Sequence, residues 1–188
     1  MNDENIRLEL SKTLKPGRFA HTLGVEKAAL ELSRIHGIDE DMARTAALLH
    51  DCAKSMNFSD MLAIINEEGI SIDEYEKNTE PILHAPAGSA LAKRKYGITG
   101  REILDAIRYH TIGCKNPSAL TKVIYISDFI EENRKPFPGL QEARELAIKD
   151  LDAALILCAG LSNDYVLSQG GKIHPFTLEM INNTEVRS

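Results

Sequence analysis

Tryptophan is absent from this 188-residue chain, and Phe and Tyr contribute five residues each. The core therefore has to be built from Leu, Ile, Val and Ala, a palette that suits helices. Only three cysteines occur, Cys52, Cys114 and Cys158, far apart and with no C-x-x-C pair, which argues against both a disulfide framework and a thiolate zinc site. Positive charge is short: 22 Lys and Arg against 28 Asp and Glu leave a formal net charge of −6. A broad basic surface for nucleic acid is excluded on that balance. Long apolar runs are missing as well. The longest, Ala153–Leu161, falls well short of the ~20 residues that cross a bilayer, and Met1–Leu10 mixes charged and apolar residues. Neither a leader nor a membrane span is expected, and a reducing cytoplasm is the expected compartment.

What is present is the ordinary balance of a folded domain, 43% hydrophobic and 27% charged. Residues 1–188 are expected to form one domain. Apolar residues recur at intervals of three and four and alternating strand patterns are missing, so the fold class is all-α. Helices are expected over Asn5–Leu14, Arg18–His36, Glu40–Lys54 behind an Asp39 cap, and Asp60–Glu68 behind Ser59. Ser71–Glu80 is polar and acidic and is expected to be a loop. Further helices are expected from about His84 to Tyr96, from a Thr99 cap to His110, and from a Ser118 cap to Asn133. Two prolines and a glycine in Lys135–Gly139 must break helicity. Leu140–Lys149, Leu151–Gln169 and a short helix from about Thr177 complete the chain.

Histidines and carboxylates become informative where they interrupt an apolar face, because a buried charge demands a partner or a metal. His21 extends the face Val25, Ala28, Leu32; His50-Asp51 ends an almost wholly apolar helix; Asp128 is embedded in Val-Ile-Tyr-Ile-Ser-Asp-Phe-Ile; His84 and His110 begin and end two further apolar stripes. Any one of these reads equally well as a hydrogen-bonded core residue or a cap. Together they point imidazoles and carboxylates from five helices toward one core, which is how metal sites are built in helical bundles. Imidazole with carboxylate and no thiolate suits iron, manganese or zinc.

The order His21, His50-Asp51, Asp128 resembles the HD-domain metal-dependent phosphohydrolases, and His84 and His110 match the variant of that family with six ligands. His50-Asp51-Cys-Ala-Lys54, Arg108-Tyr-His-Thr-Ile-Gly113, Arg18-Phe-Ala-His21 and Gly171-Lys-Ile-His-Pro175 narrow the resemblance to the symmetrical diadenosine tetraphosphate hydrolases. It runs from about residue 15 to residue 178.

That resemblance implies an HD-domain helical bundle that hydrolyses diadenosine tetraphosphate at its centre to two ADP, with iron, one or two ions, or manganese or another transition metal. It implies His21, His50, Asp51 and Asp128 as ligands of a first metal and His84 and His110, with Asp51 bridging, as ligands of a second. Asp51, Lys54, His84 and His110 are the expected catalytic set. Arg18, Lys54, His84, Tyr109, His110, Arg134 and the segment Gly170, Gly171, Lys172, Ile173, His174, Pro175 are expected to bind substrate.

The residues leave other readings open for several of these. Lys54 could be an exposed helix-end lysine, Arg18 and Arg134 surface ion pairs, and Gly170-Gly171 an ordinary helix end. The partner is a nucleotide, with nucleic acid and membrane excluded and the oligomeric state, a homodimer included, left open. Another HD nucleotide phosphohydrolase acting on nucleoside monophosphates or guanosine alarmones, an oxygen-activating di-iron enzyme, and a non-catalytic nucleotide sensor are the rival functions.

Overall fold

A computed structural model describes residues 2–184. Helix accounts for 72% of it, and the described residues contain no strand. α1 (Asp3–Thr13) starts on the Asn2 side chain. α2 (Pro16–His36) starts on a proline, whose missing N–H would be unpaired there in any case, and stops at Gly37, φ 69°. α3 (Glu40–Leu49) is capped by Asp39, which accepts from Met42 N at 2.8 Å. α4 (Phe58–Glu67), α5 (Glu74–Lys77), α6 (Glu80–Tyr96), α7 (Arg101–Tyr109), α8 (Ala119–Ile130), α9 (Leu140–Lys149), α10 (Leu151–Ser168) and α11 (Pro175–Asn183) follow.

Several ends differ from the sequence expectation, each for a local reason. α3 stops at Leu49 rather than Lys54. Beyond it the backbone closes with i→i−3 bonds, Cys52 N to Leu49 O at 3.2 Å and Lys54 N to Asp51 O at 2.9 Å. Such a turn has about three residues, so positions i and i+3 eclipse, and Lys54 is stacked on Asp51. α8 stops at Ile130 rather than Asn133 because Glu131 turns to φ −51°, ψ 156°. The Arg144 guanidinium then takes the Ile130 and Glu131 carbonyls, both at 2.8 Å.

Asn57, not Ser59, caps α4, accepting from Asp60 N at 2.9 Å, and α7 begins after Gly100 rather than Thr99. α6 begins at Glu80 because Pro81 suits the first turn. α11 begins at Pro175, with His174 Nδ1 accepting from Phe176 N at 3.1 Å. The expected loop Ser71–Glu80 contains α5, closed by a reciprocal capping box of Asp73 and Glu76.

α3 lies in the middle, packed on α2, α6, α7 and α8, while α9 and α10 cover α8. Ile6, Leu10, Leu48, Leu49, Ile107, Leu120, Ile124 and Leu155 are fully buried in this core. A smaller cluster between α4 and α6 includes Met61, Ile65 and Leu83. α10 is the one described helix long and apolar enough, by length and composition, to cross a membrane; here Ala154, Leu155, Cys158 and Ala159 are buried against its neighbours. The packing brings the end of α3, the second turn of α2, the start of α6 and the ends of α7 and α8 to one place.

Candidate metal centre

The imidazoles of His21, His50, His84 and His110 meet around Asp51, with ring centroids of successive pairs 5.0–5.4 Å apart. Each Nδ1 is already committed. His50, His84 and His110 take the carbonyl three residues back, Ala47 at 2.6 Å, Pro81 at 2.8 Å and Ile107 at 2.8 Å, and His21 takes Glu131 Oε1 at 3.1 Å. A carbonyl or carboxylate can only accept, so Nδ1 carries the hydrogen and the lone pair falls on Nε2.

All four Nε2 atoms face the same space. Asp51 divides its oxygens between them: Oδ2 lies 3.9 Å from His21 Nε2 and 3.6 Å from His50 Nε2, Oδ1 3.1 Å from His84 Nε2 and 3.8 Å from His110 Nε2. Asp128 Oδ1 lies 3.0 Å from His21 Nε2, and the Nε2 atoms of His84 and His110 are 3.1 Å apart. Lone pairs facing carboxylate oxygens and one another at such distances repel unless a cation stands between them. The Nε2 atoms of His21 and His50 are buried with no aligned hydrogen-bond partner, an expensive state for a polar atom. His21–His50–Asp51, His50–His110–Asp128 and Asp51–His84–His110 each bring three donor atoms within metal-sharing reach. The donor set fits a divalent transition metal, and its nitrogens are held in the right tautomer.

Electrostatics agree with that. Burial pushes the His110 imidazole down to about 3, with His84 and His50 adding to the effect, and burial also lowers His50. Burial would raise Asp51, but His50, His84 and Lys54 outweigh it and hold the carboxyl well below its usual range. Asp128 is lowered as well: burial works against this, and His21, His50 and Arg134 prevail. The carboxylates are thus ionised, and His50 and His110 neutral, near pH 7, as metal ligation requires. His21 is the exception. Burial lowers it, yet the neighbouring Asp128 and Glu131 carboxylates leave it raised.

Comparison with protein families matches the HD domain over residues 18–148, a span that contains all six of these side chains. The chain belongs to the HD-domain family. It is 38% identical over 177 residues, 94% of each chain, to the symmetrical bis(5′-nucleosyl)-tetraphosphatase of Bacillus subtilis (strain 168). Its identity to the enzyme of the same name from Halalkalibacterium halodurans is 36% over 165 residues, 88% of this chain and 87% of that one. It also superposes with a TM-score of 0.93 and 36% identity on the crystal structure of a Clostridium acetobutylicum protein described as a predicted HD superfamily hydrolase involved in NAD metabolism. That match covers 98% of this chain and 97% of the other. A divalent metal is implied by this family, and the His/Asp cluster above has donor groups that could hold one.

Three cations rim the cluster. Arg18 Nη1 lies 2.8 Å from Asp51 Oδ2 and Arg134 Nη2 2.6 Å from Asp128 Oδ1. Lys54 Nζ sits 3.0 Å from both ring nitrogens of His84, over the imidazole face, and burial lowers its pKa. From His110, Asp128 and Arg134 a cavity of about 600 Å³ extends between α8 and α10, walled by Tyr125, Phe129, Phe137, Leu161, Tyr165 and Val166.

Not every expected site residue joins the cluster. Tyr109 turns away, packing edge-on against Phe176 with centroids 6.3 Å apart and lying beside the Arg108 guanidinium. Gly170 to Pro175 meets the cavity only through Val166, whose carbonyl accepts from Gly171 N at 2.9 Å. His174 is buried and lies 3.1 Å from Asp73 Oδ2, not among the donors.

Glu131 is the site residue that sequence reasoning missed. The signal was available, since it follows Asp128 by three positions and so shares its helical face. Gly24 makes room for it: a Cβ there would collide with Glu131 Oε2.

Proposed function

We propose that this HD-domain protein hydrolyses diadenosine tetraphosphate at its centre to two ADP in the cytoplasm, its whole length acting as one domain. The observation that carries the reading is Asp51, which offers one oxygen to each of two donor groups, in a cluster whose His110 and Asp128 open onto an apolar cavity also lined by Arg134. The two relatives named as symmetrical tetraphosphatases supply the substrate and the point of cleavage.

His21, His50, Asp51 and Asp128 would hold a first metal, and His84 and His110, with Asp51, a second; iron suits this thiolate-free donor set, with manganese or another transition metal as the alternative. A bound metal supplies hydroxide near neutrality and polarises phosphoryl oxygens. The chain does the rest. Arg134 can fork onto a phosphate bound in place of its present contact with Asp128, Arg18 does the same from the Asp51 side, and Lys54 offers a point charge next to His84. The aromatic walls of the cavity accept a purine nucleoside, and the segment 170–175 closes its Val166 end. A negative protein can bind a polyphosphate here because the positive charge is local to one pocket.

The test is product analysis. Metal-replete protein incubated with diadenosine tetraphosphate should yield ADP alone; AMP with ATP, or no turnover, rejects the proposal.

A further inference from the structure

The acidic segment between α4 and α6 contributes no side chain to the His/Asp cluster, yet its side chains reach the loop that follows α10. Tyr75 OH donates to the Lys172 carbonyl, and the Tyr75 ring stands edge-on to His174 with centroids 5.2 Å apart. Asp73 divides its carboxylate. Oδ1 accepts from Glu76 N at 2.8 Å, and Oδ2 lies 3.1 Å from His174 Nε2. Glu76 Oε2 accepts from both Asp73 N at 3.1 Å and Arg108 Nη2 at 2.9 Å, and Oε1 lies 2.6 Å from the same guanidinium nitrogen. Glu76 is 1% and Arg108 6% exposed, so this ion pair is interior, and Arg108 stands two residues before His110 on α7.

Asp73, Glu76 and His174 could also be taken for a metal site, since their donor atoms are close. The tautomer argues otherwise. His174 Nδ1 accepts from Phe176 N, so the hydrogen sits on Nε2, the atom 3.1 Å from Asp73 Oδ2, and no lone pair is offered to a metal. This is the reverse of the four histidines in the cluster. Glu76 is moreover neutralised by Arg108. The group is a polar clamp, held by the Tyr75–Lys172 hydrogen bond and the Arg108–Glu76 ion pair.

We propose that Asp73 and Tyr75 are positioning residues for the substrate: with Glu76 they form a strap that ties the Lys172–His174 segment to α7 and fixes it where it receives a purine nucleoside diphosphate. The inference rests on the reading of residues 170–175 as nucleotide-binding. The chain connects the strap directly to the metal-bearing end of α7, so it sets the distance between bound nucleoside and metal. Loss of the strap should loosen the loop and weaken nucleotide binding while leaving the ligands in place.

Tyr75→Phe and Asp73→Asn remove only the two loop contacts, because Asn keeps an oxygen for the α5 cap; Glu76 is avoided, since its loss would strand a buried Arg108. In metal-replete protein the double variant should raise KM for diadenosine tetraphosphate and Kd for ADP by about tenfold, roughly the value of one lost charge-assisted contact. Metal content and kcat should stay within about twofold, by the logic that a binding contact shows in KM. Amide exchange of the wild-type protein with and without ADP tests the underlying reading separately. Protection at residues 170–175 together with unchanged KM and Kd in the variant overturns the strap alone. No protection there overturns the loop reading and the strap with it. A fall in kcat at constant KM also overturns the strap, because it assigns these residues to the metal ligands.

Discussion

Every imidazole in the metal centre is oriented by a hydrogen bond at its far nitrogen, and three of the four acceptors are backbone carbonyls that no substitution can remove. His21 alone depends on a side chain, Glu131. That makes Glu131 the point where the ligand set is open to mutation. Loss of such an outer partner typically costs 10–100-fold in metal affinity. Glu131→Ala should therefore weaken metal binding by about that factor in a direct metal titration while leaving helical content unchanged, and affinity equal to wild type would show that His21 needs no orienting partner. Glu131 was legible in the sequence as a position on the Asp128 face. Its partner was not, because His21 is separated from it by 110 residues.

At the scale of the element, the chain's punctuation decides where catalytic groups sit. α3 ends at Leu49, and the i→i−3 turn that follows stacks Lys54 on Asp51 instead of carrying it round another helical turn. The sequence implied a continuous helix because the apolar pattern runs through Ala53, and periodicity does not distinguish the two hydrogen-bond registers over one turn. The same ambiguity misplaced the cap of α4. Asn57 accepts from Asp60 N, whereas Ser59 lies inside the helix and donates to Asn57 Oδ1 at 2.7 Å. Asn57→Ala should lower stability by ~1 kcal/mol, and Ser59→Ala by much less. Denaturant midpoints measure both, and equal losses would contradict the cap seen here. α5 was missed although Asp73-Glu-Tyr-Glu76 carries the D-x-x-E signature of a capping box, because four residues are too few to show a period.

In the whole molecule, five helices deliver two carboxylates and four imidazoles to a space that the apolar core surrounds. Without a cation those groups face one another at a free-energy cost, so the folded chain should be held together more weakly when metal-free. A ligand that binds only the native state stabilises by about 4 kcal/mol at 1,000 times its Kd. Chelator-treated protein should accordingly melt several degrees lower than metal-replete protein and regain its Tm on readdition of metal, with the helical circular dichroism signal present in both at 25 °C. An unchanged Tm would mean that the cluster binds no metal.

The all-α class and all six donor residues followed from the sequence by itself, because helical periodicity reports which face of an element is buried and a polar residue on that face stands out. The tertiary structure alone decided what those faces meet. Glu131 behind His21, the division of Asp51 between two donor groups, the aromatic walls from α8 and α10, and the α5 strap on the loop after α10 all join residues distant along the chain. Periodicity identifies an inward side chain without naming its partner, and packing supplies the partner.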